Sequence, residues 1–203
     1  MPVSSRDKPS GSAVNILPMQ FNTHFLHFLF SLWRLRATLA MAAALGLVAC
    51  SPSLNWRQVQ NADARYTVLL PAKPASHSRP VVLGEMKVEM QMTAAEADDM
   101  NFAVASAIIE EAAQRKNALA MMQQAMVKNI GGSITGQKKL TLKDGTEATE
   151  IHASGTLANG RRMVLFARFA IKEQRVYQAV VIGPQERLSA EVAETFLTSF
   201  TLQ

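Results

Sequence analysis

The chain has 203 residues, 48% of them hydrophobic, and 21 basic against 16 acidic side chains give a formal net charge of +5. Much of that excess sits at the start, where Arg6, Lys8, Arg34 and Arg36 face only Asp7, so the 154 residues from Cys50 onward carry 17 basic and 15 acidic groups, or +2. A balance so near neutral leaves no basic patch as a compositional signal and excludes nucleic acid as the expected partner. Cys50 is the only cysteine, so no intramolecular disulfide can form and stability rests on packing.

Residues 1–33 open with Pro2, Ser4, Ser5, Asp7, Pro9, Ser10 and Gly11, a composition of disorder, and run into Phe25-Leu26-His27-Phe28-Leu29-Phe30. That is longer than the n-region of a secretory signal, and points either to a translation start further downstream or to an unusually long leader. Arg34 and Arg36 then precede an apolar run from Thr38 to Val48, which closes on Leu47-Val48-Ala49-Cys50 before Ser51. Positive residues, a short apolar stretch and small residues at the cut are the parts of a secretory signal. With cysteine first after the cut, Leu47 to Cys50 resembles the lipobox of bacterial lipoproteins.

The resemblance implies a diacylglyceryl group on the Cys50 thiol, removal of residues 1–49 and acylation of the new α-amine. Cysteine suits this step because its thiolate is the nucleophile. One acyl chain holds a protein only marginally; with about 0.8 kcal/mol per buried methylene, several chains on one residue hold it durably. Ser51, where an acidic residue would otherwise stand, is similar to the sorting pattern of outer-membrane lipoproteins. It implies the outer rather than the inner membrane, with the domain on the periplasmic side. A spanning helix fails on length, since it needs about 20 apolar residues. Extending the run back to Phe25 would place Arg34 and Arg36 mid-bilayer at about 3 kcal/mol each.

Residues 50–64, with Pro52, Asn55, Gln58, Gln60, Asn61 and Asp63, read as a polar tether whose one large apolar group is Trp56. Trp56 suits the headgroup interface or a site docked on the domain. Residues 65–203 then form one domain. Tyr66 to Leu70 is a short strand, and Lys73 to Pro80 a loop. Met86, Val88, Met90 and Met92 alternate with Glu85, Lys87, Glu89 and Gln91, which makes a strand with one buried face. Asn101 to Ile109 is the next strand, with Glu96, Asp98 and Asp99 in the turn.

From Lys116 to Ile130 the period changes: Leu119, Met122, Met126 and Ile130 fall at helical spacing, and Gly131-Gly132 stops the helix. Its methionines suit either a flexible binding groove or an ordinary core, and the core is the better fit. Four antiparallel strands follow: Ser133–Leu142, Thr146–Leu157, Arg161–Ile171 and Arg175–Ile182. Asp144-Gly145 and Asn159-Gly160 supply hairpin turns in which both residues are expected at positive φ. Val164 to Phe166 and Val180 to Ile182 are apolar on both faces, so these strands should be central and covered by helices on either side. Arg168 interrupts the first run, at a strand end or as a partly buried cation that needs a carboxylate. Ser189 can cap a last helix, with Glu191 in its first turn and Val192, Phe196 and Phe200 on one face.

The opening Tyr66-Thr67-Val68-Leu69-Leu70-Pro71, the strand from Leu83-Gly84-Glu85, the central helix, the meander, Tyr177 to Pro184 and the closing Phe196-Leu197-Thr198-Ser199-Phe200 resemble the PsbP-like superfamily. That superfamily includes the DcrB-type bacterial envelope lipoproteins. The likeness runs through residues 65–202 and implies an α+β fold, an α/β/α sandwich with a central antiparallel sheet flanked by helices. The family's roles lie in accessory proteins that dock on larger complexes, and no functional residue carries over.

No residue set argues for catalysis. His77 falls in a Pro/Ser-rich loop and His152 in a strand, neither with a partner at ligand spacing. Asp98-Asp99 with Glu96, and Glu110-Glu111, lack the glycine and oxygen spacing of a calcium loop. Ser154 sits in no nucleophile elbow, and Gly131 to Gly136 has no phosphate-loop lysine. The expectation is a non-enzymatic lipoprotein without cofactor or metal, lipidated at Cys50 and bound to another envelope protein. The alternative is a periplasmic small-ligand or metal-binding protein, for which a deep pocket gathering His152, Arg168 or Asp98-Asp99 would speak.

Overall fold

The computed structural model describes residues 54–203. The leader 1–49, lipidation at Cys50 and the sorting signal at Ser51 lie outside the described residues. In chain order the elements are β1 (Arg57–Asn61), β2 (Tyr66–Leu70), β3 (Ala75–Leu83), β4 (Met86–Ala97), β5 (Met100–Ile108), α1 (Ala112–Asn129), β6 (Gly132–Thr141), β7 (Glu147–Thr156), β8 (Arg162–Lys172), β9 (Arg175–Pro184), α2 (Ala190–Ser199) and β10 (Thr201–Leu202). They form a seven-stranded sheet in the order β3-β4-β5-β9-β8-β7-β6 and a three-stranded sheet β1-β2-β10. Every pairing is antiparallel. The fold class is α+β, as the sequence predicts.

The large sheet is apolar on both faces because two cores lie against it. In β9, Val176 and Val180 belong to one core, and Tyr177, Ala179 and Val181 to the other. β8 and β9 are neighbours well inside the sheet, which accounts for their unbroken apolar runs. The first core gathers Ala193, Phe196 and Leu197 of α2 with Phe200, Val68, Leu70 and Phe102. Phe102 and Phe196 meet edge to face at 5.4 Å, an arrangement that adds about 0.5–1.5 kcal/mol to the burial of their area. The second core sets Ala118 and Met122 of α1 against Ile151, Leu165, Phe169 and Val180.

Two stretches differ from the sequence reading. Residues 57–61, expected in the tether, form β1 and pair with β2 from Arg57↔Leu70 to Asn61↔Tyr66. Trp56 docks edge to face on Phe102 at 5.7 Å. The strand was hidden because only Val59 among its side chains is apolar, and backbone pairing with β2 carries it. Residues 75–83, expected as a loop up to Pro80, form the edge strand β3. Its side chains are exposed from Ala75 to Pro80, so no buried face writes an alternation into the sequence. Pro80 is tolerated there because an edge strand leaves one row of N–H groups unpaired.

Local chemistry explains the element ends. α1 begins at Ala112, ahead of the expected Lys116, because its first turn is exposed and shows no apolar period. In α2 the Ser189 hydroxyl accepts the Val192 N–H at 3.2 Å, the expected cap. The hairpin turns form at the expected places with a different geometry. Leu142 N–H donates to Thr146 O at 2.8 Å and Gly145 N–H to Leu142 O at 2.9 Å; Leu157, Arg161 and Gly160 repeat the pattern. Only the glycines take positive φ, +86° at Gly145 and +81° at Gly160, so each is a three-residue loop ending in a left-handed glycine. Asp98 and Asp99, both at positive φ, form the two-residue turn between β4 and β5.

Candidate functional site

The register of β6, β7 and β8 places Lys138, Glu150 and Arg168 in one row, with Lys138 paired to Glu150 and Glu150 to Arg168. Two residues on, and on the same face, His152 pairs with Phe166. Strand alternation keeps Glu150 and Arg168 on the face that α2 covers. The Arg168 Nε–H donates to Glu150 Oε2 at 2.7 Å, and its Nη1 donates to Leu197 O at 2.7 Å. Leu197 lies in the last turn of α2, where its carbonyl also accepts the Phe200 N–H at 3.3 Å and a cation is favourable. Lys138 Nζ at 3.0 Å and His152 Nε2 at 3.2 Å share the other oxygen, Oε1.

Glu150 is thus a carboxylate with both oxygens engaged and its side chain only 6% exposed. Burial alone would raise its pKa. The hydrogen bonds from Arg168 and Lys138, the Arg168 charge and the bond to His152 outweigh that burial and hold the carboxyl below its ordinary value. The His152 ring meets Phe166 edge to face, with centroids 4.6 Å apart and planes at 64°. These side chains floor a cleft of about 160 Å³ whose wall is Ala190, Ala193, Glu194 and Leu197 of α2. Both carboxylate oxygens are committed, Oε2 to the Arg168 guanidinium and Oε1 to the Lys138 ammonium and the His152 imidazole. What the arrangement does well is lock the end of α2 to the sheet.

The structure therefore brings together His152 and Arg168, and gives Arg168 the carboxylate that its place in the strand demands. Glu150 was not singled out in the sequence. Its signal was the need of Arg168 for a partner one strand away, and its position two residues before His152 on the same face. The other candidates stand apart. His77 is exposed on β3, paired with Met92. Asp98 is met by Arg187 at 3.3 Å and Asp99 by Arg161 at 3.0 Å. Glu111 precedes α1 without a side-chain cap bond, and Arg115 donates to the carbonyls of Ile109 and Glu110. Ser154 is exposed on β7. Among the described residues no three of His, Cys, Asp and Glu gather as a metal site requires.

No family model and no curated protein matches the sequence. Among solved structures, the solution structure of cyanobacterial PsbP (CyanoP) from Synechocystis sp. PCC 6803 superposes with a TM-score of 0.51 at 11% identity, over 76% of this chain and 96% of that one. A protein of unknown function from Pseudomonas aeruginosa, titled a putative regulator, gives a TM-score of 0.37 at 11% identity, over 66% of this chain and 85% of that one. At 11% identity the first likeness is one of architecture: this chain has a PsbP-like fold.

Proposed function

We propose that this protein is a bacterial envelope lipoprotein of the DcrB type, its PsbP-like domain an α/β/α sandwich held to the membrane through acylated Cys50 and facing the periplasm. Its role is non-catalytic: it binds or steadies another envelope protein, at the outer rather than the inner membrane. The observation that carries the reading is the leader, in which Arg34, Arg36 and the apolar run from Thr38 close on Leu47-Val48-Ala49-Cys50. The fold lends support in that the ionisable groups it gathers around Glu150 are spent on one another. A second reading, small-ligand binding, draws on the cleft where His152 and Arg168 meet, which at about 160 Å³ has room only for a small solute.

The test is metabolic labelling with a palmitate analogue, then cross-linking in intact cells, detergent extraction and mass spectrometry, with Cys50→Ala as the untethered control. Label on the wild type together with a stoichiometric partner that the control loses is the expected result. An unlabelled wild type removes the anchor. A labelled protein captured alone removes the accessory role and turns attention to the cleft.

A further inference from the structure

The sheet ends at β6, whose outer backbone groups have no strand partner among the described residues. α1 runs into β6 through Ile130 and Gly131, and the two share a seam with an opening at each end. Near the turn, Ala120, Gln123 and Val127 of α1 face Gly132 and Ile134 across an open trough of about 750 Å³. Toward the other end a separate opening of about 460 Å³ lies over the sheet face, with Lys116 and Leu119 of α1 on one side and Lys139 and Thr141 of β6, Glu147 and Thr149 of β7 and Phe169 of β8 on the other. The walls match in length: 18 helical residues at about 1.5 Å and ten strand residues at about 3.3 Å give roughly 27 and 33 Å.

Resting on the accessory role proposed above, we infer that this trough docks an extended, acidic segment of the partner polypeptide, which adds to β6 as an eighth strand. An open strand edge offers a row of donors and acceptors that only another backbone fills throughout. Ile134, 41% exposed, with Val127 beside it gives alternate side chains of the segment an apolar shelf. The charged lining residues are Lys116, Lys128 and Lys139 against Glu147 alone, so the complement is acidic. Lys138 and Lys139 on the strand also disfavour a second copy of β6, since edge lysines repel their like. An acyl chain has no use for the backbone row or for Gln123 and Gln124. The opposite edge, β3, is interrupted by Pro80, which has no N–H to give.

The test uses the full chain, in detergent, and a blocked peptide of alternating valine and glutamate about as long as β6. Binding is read by fluorescence anisotropy and by backbone hydrogen exchange. The expected result is slowed exchange along residues 132–141 and an affinity that falls at least about tenfold in Lys116→Glu/Lys139→Glu, which instead takes a valine–lysine peptide. Both lysines are exposed, so this variant should keep its fold. Binding without protection of β6, or affinity indifferent to charge reversal, overturns the site. Binding of laurate micelles with protection confined to α1 overturns it in favour of a lipid. If the charge-reversed variant still copurifies with its membrane partner, the docking site fails while the accessory role stands.

Discussion

Arg168 and Glu150 form the tie between the large sheet and the last helix: one guanidinium reaches the carboxylate on β7 and the Leu197 carbonyl of α2, each at 2.7 Å. Glu150→Leu would leave Arg168, its side chain only 12% exposed, without its counter-charge. Removing one partner of a buried pair costs about 3–5 kcal/mol. Because Arg168 keeps Leu197 and Lys138 turns to water, the lower figure is expected, roughly 6–12 °C in Tm for a domain of this size. A thermal melt within about 2 °C of wild type would show that the tie carries little.

The same pair sets an acid limit. Glu150 ionises below its ordinary value in the fold, and so does Asp144, where the bonds from Thr146 and Lys172 outweigh burial. As pH falls, the unfolded chain therefore takes up protons before the folded one. The stability these carboxylates supply is complete above the ordinary carboxylate value of about 4 and is lost as pH drops through their lower folded values. Denaturant midpoints measured from neutral pH down to about pH 3 should fall below pH 4, and fall less steeply in Glu150→Leu. A wild-type midpoint that stays flat through this window contradicts the assignment.

Gly132 and Gly155 face each other across β6 and β7. A methyl group on Gly132 would run into the Ser154 carbonyl, and one on Gly155 into the Ile130 carbonyl. Backbone cannot give way as a side chain can, so either alanine should cost about 2–4 kcal/mol. Gly136→Ala meets nothing closer than 3.8 Å and should stay within about 0.5 kcal/mol of wild type. Equilibrium unfolding of the three variants tests the contrast, and equal effects would refute it.

Tyr66 is 1% exposed, and its hydroxyl finds no hydrogen-bond partner among the described residues. Thr93, which bonds Ser76 at 2.9 Å, and Asn61, which accepts the Ala64 N–H at 2.8 Å, are the polar side chains beside the phenol, and neither reaches hydrogen-bond geometry with its oxygen. Burial also pushes the phenol pKa up. Tyr66→Phe removes an unsatisfied polar atom and leaves the ring against Phe200, so stability should hold or rise by about 1 kcal/mol. A loss beyond 1 kcal/mol in the same unfolding assay would mean that the hydroxyl is bonded.

What could be read from the sequence depended on whether a buried face left its period behind. β4, β8, β9 and α2 were legible because Met90, Leu165, Val181 and Phe196 stand in a core. β1 and β3 were not, because backbone pairing at a sheet edge makes no demand on side chains. The ionic cluster shows a finer limit. Reading Asn159-Gly160 as a two-residue turn would pair Glu150 with Phe169; the three-residue loop pairs it with Arg168. A one-residue slip in register moves every side chain to the other face. The site therefore hung on the turn geometry, which Asn-Gly alone does not specify.

The strand β1 bears on how far the domain can travel. The Asn55 N–H is already fixed to Pro71 O at 2.8 Å, at the entrance to β1. Only five peptide steps separate Asn55 from Cys50, and a fully extended chain covers at most about 3.6 Å per step, or about 18 Å in all. Under the proposed acylation the domain is on a short leash. So tethered, it would sweep the headgroup layer, and a partner would have to come down to that surface.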